Sequence, residues 1–182
     1  MKSVLKDIMD SLKKSIVENN CITSMAIPIS ETNIDTYQIE YSNDQERENY
    51  FYNLGIHCRL NDAFGVVLVL EGESVKPKGH HAIILQFIDF INEDFLTMTC
   101  QFYKHKFERT NTTTKMLEGV TDFVIEGYID IEEKIKKAKK EDSAHIKENF
   151  DLGECVKCNS FDLCRKVNID LLIEEVESGT TT

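Results

Sequence analysis

From Ser3 to Asn19 the apolar residues Val4, Ile8, Leu12 and Ile16 return every fourth position among charged residues, which is one stripe of an amphipathic helix closing at Asn19-Asn20. The period then changes. Met25, Ile27 and Ile29 alternate with Ser24, Ala26 and Pro28, and Tyr37, Ile39 and Tyr41 alternate with Gln38 and Glu40. Both stretches predict strands, and Pro28 favours a sheet edge for the first because it has no N–H to donate. Ser42 to Asn49 is wholly polar, a loop or short helix start, and an apolar run follows from Tyr50 to Leu60.

Asn61-Asp62-Ala63-Phe64-Gly65 is turn chemistry, and it feeds the unbroken apolar run Val66-Val67-Leu68-Val69-Leu70. Such a run, rich in valine, predicts a central strand buried on both faces. Gly72 to Gly79, with Pro77, predicts a loop. Ile83, Ile84, Phe87, Ile88 and Ile91 then fall at helical spacing, which puts His80-His81 at a loop-to-helix boundary. Leu96, Met98, Cys100 and Phe102 alternate with polar residues as a strand does, up to the threonine-rich stretch Thr110 to Thr114. Met116, Val120, Phe123, Val124, Tyr128, Ile131 and Ile135 follow a three-to-four spacing, though Gly119 and Gly127 leave room for a strand ahead of a later helix. From Asp130 to Asp142 five lysines face five carboxylates, the composition of a solvated helix face. Ile169 to Val176 predicts a short acidic amphipathic element. The pattern as a whole predicts an α+β domain over residues 1–177, with a central mixed β-sheet flanked by helices. It also predicts a small cysteine-bearing lobe at about 150–168 and a flexible tail at 178–182.

Charge narrows the function classes. Lysine and arginine number 21 against 32 aspartates and glutamates, a net charge of −11, which repels bare phosphate backbones unless metal ions or clustered basic residues intervene. No stretch approaches the ~18 consecutive apolar residues of a membrane span, and the first residues lack a signal-peptide core, so the expected setting is the cytoplasm. Six cysteines in a reducing compartment argue for ligated thiolates over a disulfide framework.

Three of those cysteines, Cys155, Cys158 and Cys164, fall within ten residues. A CxxC pair places two sulfurs on one tight turn and a third can close on the same ion, which leaves a fourth ligand to come from elsewhere in the chain. Zinc would take His145 as the nearest donor, whereas an iron–sulfur cluster would take a thiolate from Cys21, Cys58 or Cys100. Three unligated thiols are the plain alternative.

The stretch Tyr128-Ile129-Asp130-Ile131-Glu132-Glu133-Lys134-Ile135, a charged helix, a linker and then Cys155-x2-Cys158-x2-Phe161-Asp162-Leu163-Cys164 resembles the C-terminal end of RecB-like PD-(D/E)XK nucleases that carry a 4Fe-4S cluster, among them CRISPR-associated exonucleases. The resemblance implies a restriction-endonuclease-like fold stapled by a cluster on Cys155, Cys158, Cys164 and an early cysteine, for which Cys21 matches by order. It also implies an aspartate at one strand end and an acidic-x-Lys on the next, where carboxylates hold Mg or Mn and the lysine positions the attacking water. The corresponding hairpin here is Gly55 to Leu60, a turn, and Val66 to Glu73. In it Glu71 matches the acidic residue, Glu73 occupies the lysine slot, His57 or Cys58 falls at the aspartate, Asp62 joins Glu71 and Glu73 as a metal ligand, and Lys76 reaches back as the lysine. Gln86 matches the glutamine of the family's following helix. With the lysine slot filled by Glu73, the implied nuclease activity is weak or lost.

Two functions follow, each with its own partner. One is a cluster-bearing nuclease-like protein that handles DNA ends. The other is a non-catalytic acidic protein whose carboxylates, such as Glu31, Asp35, Glu40, Asp44, Glu46 and Glu48, occupy the basic groove of a nucleic-acid-handling protein, as phage-encoded inhibitors of CRISPR effectors do.

Overall fold

Strand β3 (Gly65–Glu73) holds the middle of the fold because both of its faces are apolar. Val67 and Val69 point to one side, Val66 and Leu68 to the other, and all four are fully buried. The computed structural model describes residues 2–19, 22–31, 36–73, 80–142, 144–146 and 160–177. Within them β3 is joined by β1 (Met25–Ile29), β2 (Tyr37–Gln38), β4 (His81–Asp89), β5 (Asp94–Tyr103), β6 (Lys106–Phe107) and β7 (Asn111–Thr113). The strands run in the order β2-β1-β3-β4-β5-β6, with β7 also paired to β5. Every pairing is antiparallel, with β3 and β4 in register from Gly65↔Asp89 to Glu73↔His81.

Helices cover both faces, so the chain is α+β as its pattern predicts. Helix α1 (Lys2–Asn19) lays Leu5, Met9 and Ile16 on the face that carries Val67, Val69, Leu85, Phe87 and Met98. Helices α2 (Asp44–Leu60) and α3 (Thr121–Glu141) cover the other face through Phe51, Leu54, Cys58 and Val124. Helix α4 (Phe161–Glu177) packs Val167 and Leu171 against Ile131, Ile135 and Ala138 of α3. Of the expected cysteine lobe, residues 150–159 lie outside the described residues, as does the tail at 178–182.

Three elements differ from their sequence reading. In α1 the buried stripe runs Leu5, Met9, Leu12, Ile16, and Val4 is 47% exposed, so the stripe is set one residue later at its start. Residues 83–89 form strand β4 instead of a helix. The pairs 83–84 and 87–88 fit helical spacing, but a strand covered on both faces buries consecutive residues too, with Ile83, Leu85 and Phe87 to α1 and Ile88 to α2. Gln86 therefore lies on a strand, fully buried, where its Oε1 accepts the Leu117 N–H at 2.9 Å. Finally, Gly55 to Leu60 is the last part of α2 and not the first strand of a catalytic hairpin. Asn43 caps that helix by accepting the Glu46 N–H at 2.9 Å, and Glu46 in turn accepts the Ser42 N–H, a reciprocal cap that makes the polar stretch 42–49 a helix start.

Pro28 pairs with Val66 of β3, while β2 pairs with Met25 and Ala26, so among the described residues no strand lies on the proline's other side. Where α2 crosses α3 the contact is backbone to backbone. A methyl group on Gly55 would sit 2.0 Å from the Val124 carbonyl oxygen, and one on Gly127 would sit 2.0 Å from that of Tyr52.

Candidate functional site

The residues expected to share a divalent cation are placed at different ends of β3. Asp62 lies in the turn that enters the strand, with a left-handed φ of 54°, whereas Glu71 lies near the far end; six residues of strand separate Gly65 from Glu71, roughly 20 Å. Each carboxylate has a cationic or imidazole neighbour. Glu71 sits 3.1 Å from His81 Nδ1, and Asp62 receives the Lys166 ammonium at 2.6 Å and the Arg59 guanidinium at 3.2 Å. Glu73 closes β3 by its backbone, its side chain is outside what is described, and Lys76 lies outside the described residues. His57 stands in the last turn of α2, 2.7 Å from the Tyr37 hydroxyl, and Cys58 faces the core.

The cysteines divide likewise. Cys21, Cys155 and Cys158 lie outside the described residues, and Cys164 stands on the first turn of α4, its N–H donating to the Ser160 carbonyl. Burial pushes the Cys58 thiol up to about 12, and the Cys100 thiol is buried against the Glu108 carbonyl oxygen at 3.3 Å. Both thiols face the core, Cys58 toward α3 and Cys100 toward α1. His145 is exposed on the short helical turn at 144–146. Among the described residues no three histidine, cysteine or carboxylate side chains converge as a metal cluster would require.

The ion pairs of Asp62 belong to a lattice that fixes α4. The Lys166 side chain is only 5% exposed and bridges Asp62 and Asp170, and Lys139 of α3 reaches Asp170 and Glu174, each at 3.0 Å. Arg59 extends the lattice to Glu132 of α3, which also pairs with Lys136. Burial works against the charge on Asp170, but the hydrogen bonds from Lys166 and Lys139 outweigh it and hold its carboxyl below the usual carboxylate range. Balanced and mostly enclosed, this lattice reads as a structural clamp.

A second group of carboxylates faces outward. On α3, Asp122, Glu126, Asp130 and Glu133 recur at intervals of four, four and three residues, which puts them on one face over about 16 Å. With Ile125, Ile129 and Tyr52 they line an open groove of about 520 Å³. Tyr52 donates to Asp130 at 2.5 Å, and Lys134 and Tyr52 together hold the Asp130 carboxyl below its ordinary range. Asp122 accepts the Gly119 N–H, while Glu126 and Glu133 enter no ion pair among the described residues. The sequence did contain this signal. Counting Asp130 to Asp142 as one balanced block hid it, because two members of the row, Asp122 and Glu126, lie before that block and only Asp130 and Glu133 fall inside it.

Comparison of the chain with family models, with curated proteins and with solved structures finds no match.

Proposed function

We propose that this chain is an acidic, non-catalytic binding protein that occupies a basic surface of a nucleic-acid-handling partner in place of phosphate. The α3 row of Asp122, Glu126, Asp130 and Glu133 carries this reading, since it faces outward along an open groove and, among the described residues, the one ion pair it makes is Lys134 with Asp130. Carboxylates at helical spacing match lysines and arginines that otherwise contact successive phosphates, and a net charge of −11 speeds the encounter. The nuclease reading is less well supported. It asks Asp62 and Glu71 to meet on one cation, whereas Asp62 neutralises a buried lysine at the opposite end of β3 from Glu71.

The test is displacement of a labelled oligonucleotide from a basic nucleic-acid-binding protein. Competition by this chain that weakens as salt rises, and that Glu126→Lys with Glu133→Lys removes, is the expected result. DNA cleavage with Mg or Mn ions that Glu71→Ala abolishes would overturn it and restore the enzyme.

We further propose, on their spacing, that Cys155, Cys158 and Cys164 hold a 4Fe-4S cluster or a zinc ion, with Cys21 or His145 as the fourth ligand. The burial of Cys58 and Cys100 supports those two choices over the core thiols.

A further inference from the structure

Next to the acidic groove, on the sheet side of α3, lies a more apolar cavity of about 380 Å³ that shares Ile125 and Ile129 with it. Its wall is formed by Ile88, Phe90 and Phe95 of the β4–β5 hairpin and by Tyr128, whose ring stacks on Phe90 with centroids 4.1 Å apart. Its rim is acidic, from Asp89 and Glu93. Among the described residues, those lining the two cavities include no lysine or arginine.

The hairpin side is built before any partner arrives. Asp89 Oδ1 accepts the N–H groups of Ile91 and Asn92, both at 3.0 Å, and its Oδ2 accepts the Asn92 side chain at 2.9 Å, so the turn is fixed in place. Of the lining, Ile129 is 52% exposed, and Ile91, in the hairpin turn between the lining residues Phe90 and Glu93, is 72% exposed. A cavity of this size falls at the lower end of sites that seat a small ligand or an anchoring side chain.

Resting on the binding-protein reading above, we propose that the partner engages through a lysine- or arginine-rich amphipathic helix. Its apolar side chain seats between Ile129 and the Phe90–Phe95 wall, and its basic residues pair with the α3 row. The choice of occupant follows from charge complementarity. An apolar cavity rimmed wholly by carboxylates rejects an acidic or phosphate-bearing ligand, and a row spaced by one helical turn matches basic residues spaced by one helical turn on a helix laid alongside.

The probe is a fluorescein-labelled 16-residue helical peptide of lysine, alanine and a single central leucine, with a second peptide in which that leucine is serine. Both are titrated onto the full chain and followed by anisotropy at two salt concentrations. The leucine peptide is expected to bind at least tenfold more tightly than the serine peptide. Ile129→Ser should erase that preference and leave the salt dependence unchanged, whereas Glu126→Lys with Glu133→Lys weakens both peptides. Asp7→Lys with Glu18→Lys on α1, an equal change in net charge, should alter neither, and melting curves confirm that each variant is folded. Equal binding of the two peptides, still sensitive to the α3 reversals, overturns the anchor cavity and leaves the acidic-binding reading standing. Failure of both peptides to bind, or equal loss from the α1 reversals, overturns the two together.

Discussion

Lys166 shows how one side chain decides what its neighbours can do. Its ammonium is almost wholly enclosed, 2.6 Å from Asp62 and 2.5 Å from Asp170, and it ties α4 to the turn that opens β3. Lys166→Ala removes that tie and leaves Asp170 to Lys139 alone, at a cost of about 2 kcal/mol, below the full penalty for breaking a buried pair because Asp62 can turn to water. Urea unfolding gives the number, and a loss under ~0.5 kcal/mol would show that the clamp contributes only surface pairing. The pH dependence has a definite sign. Asp170 titrates lower in the folded chain than when unfolded, so its contribution is complete above the unfolded value near ~4 and is lost as pH falls further toward the folded value. Asp170→Asn should flatten the stability profile in that acid window and leave neutral-to-alkaline behaviour parallel to the parent, and a profile unchanged by the substitution would assign the acid sensitivity to other groups. The sequence marked Asp62 as chemically active, but nothing local to it showed that its partner lay 104 residues away.

At the scale of elements, the crossing of α2 and α3 depends on Gly55 and Gly127. Each permits a backbone approach that any Cβ would block, because the atom in the way is a carbonyl oxygen held by its own helix. Gly127→Ala gains about 1 kcal/mol of helix propensity and still should destabilise by about 2 kcal/mol net, since the helices must part along their whole contact. A rise in denaturation midpoint would mean that the crossing is looser than its geometry. Gly119 and Gly127 left room in the sequence for a strand, and the structure gives other reasons for them: Gly119 takes a left-handed φ of 73° ahead of α3, and Gly127 is a helical residue that packs helix on helix. Other elements were legible to different degrees. The Val66 to Leu70 run declared its strand, since few elements bury four consecutive apolar residues and half-bury a fifth. Residues 83–91 misled because a strand covered on both faces buries consecutive pairs as a helix does, and only the polar Gln86 among them is out of place in either. The carboxylates of α3 were visible one by one, but their common face emerges only when the helix is fixed from Thr121 to Glu141. The apolar cavity beside them was not legible at all, being shared between α3 and a hairpin whose first strand was read as a helix.

For the whole molecule, the open question is how the ends of the chain are held. Helix α1 packs on one face of the sheet and α4 against α3 and α2, with α1 and α4 sharing no core cluster among the described residues, and no helix among those residues is long and apolar enough to cross a membrane. Cys164 stands at the start of α4, so ligation of Cys155, Cys158 and Cys164 together with Cys21 would tie the segment after α1 to the segment before α4 and couple the docking of α4 to the sheet. A ligand bound only by the folded chain adds roughly 3 kcal/mol when it saturates its site a hundredfold, which for a chain of this length shifts the melting temperature by about 5–10 °C. Anaerobically purified protein should therefore carry iron with sulfide, or zinc, by elemental analysis. Removing the metal with a chelator should lower the melting temperature by about that amount, and Cys155→Ser, Cys158→Ser and Cys164→Ser should each reproduce the loss, while Cys100→Ser, a core substitution, should leave the metal content intact. Cys21→Ser and His145→Ala then separate the two fourth ligands, since only the true one abolishes binding. Metal-free protein whose melting temperature is unmoved by any of the three C-terminal substitutions would leave those cysteines as ordinary thiols, and the clamp around Lys166 as the contact that holds α4 in place.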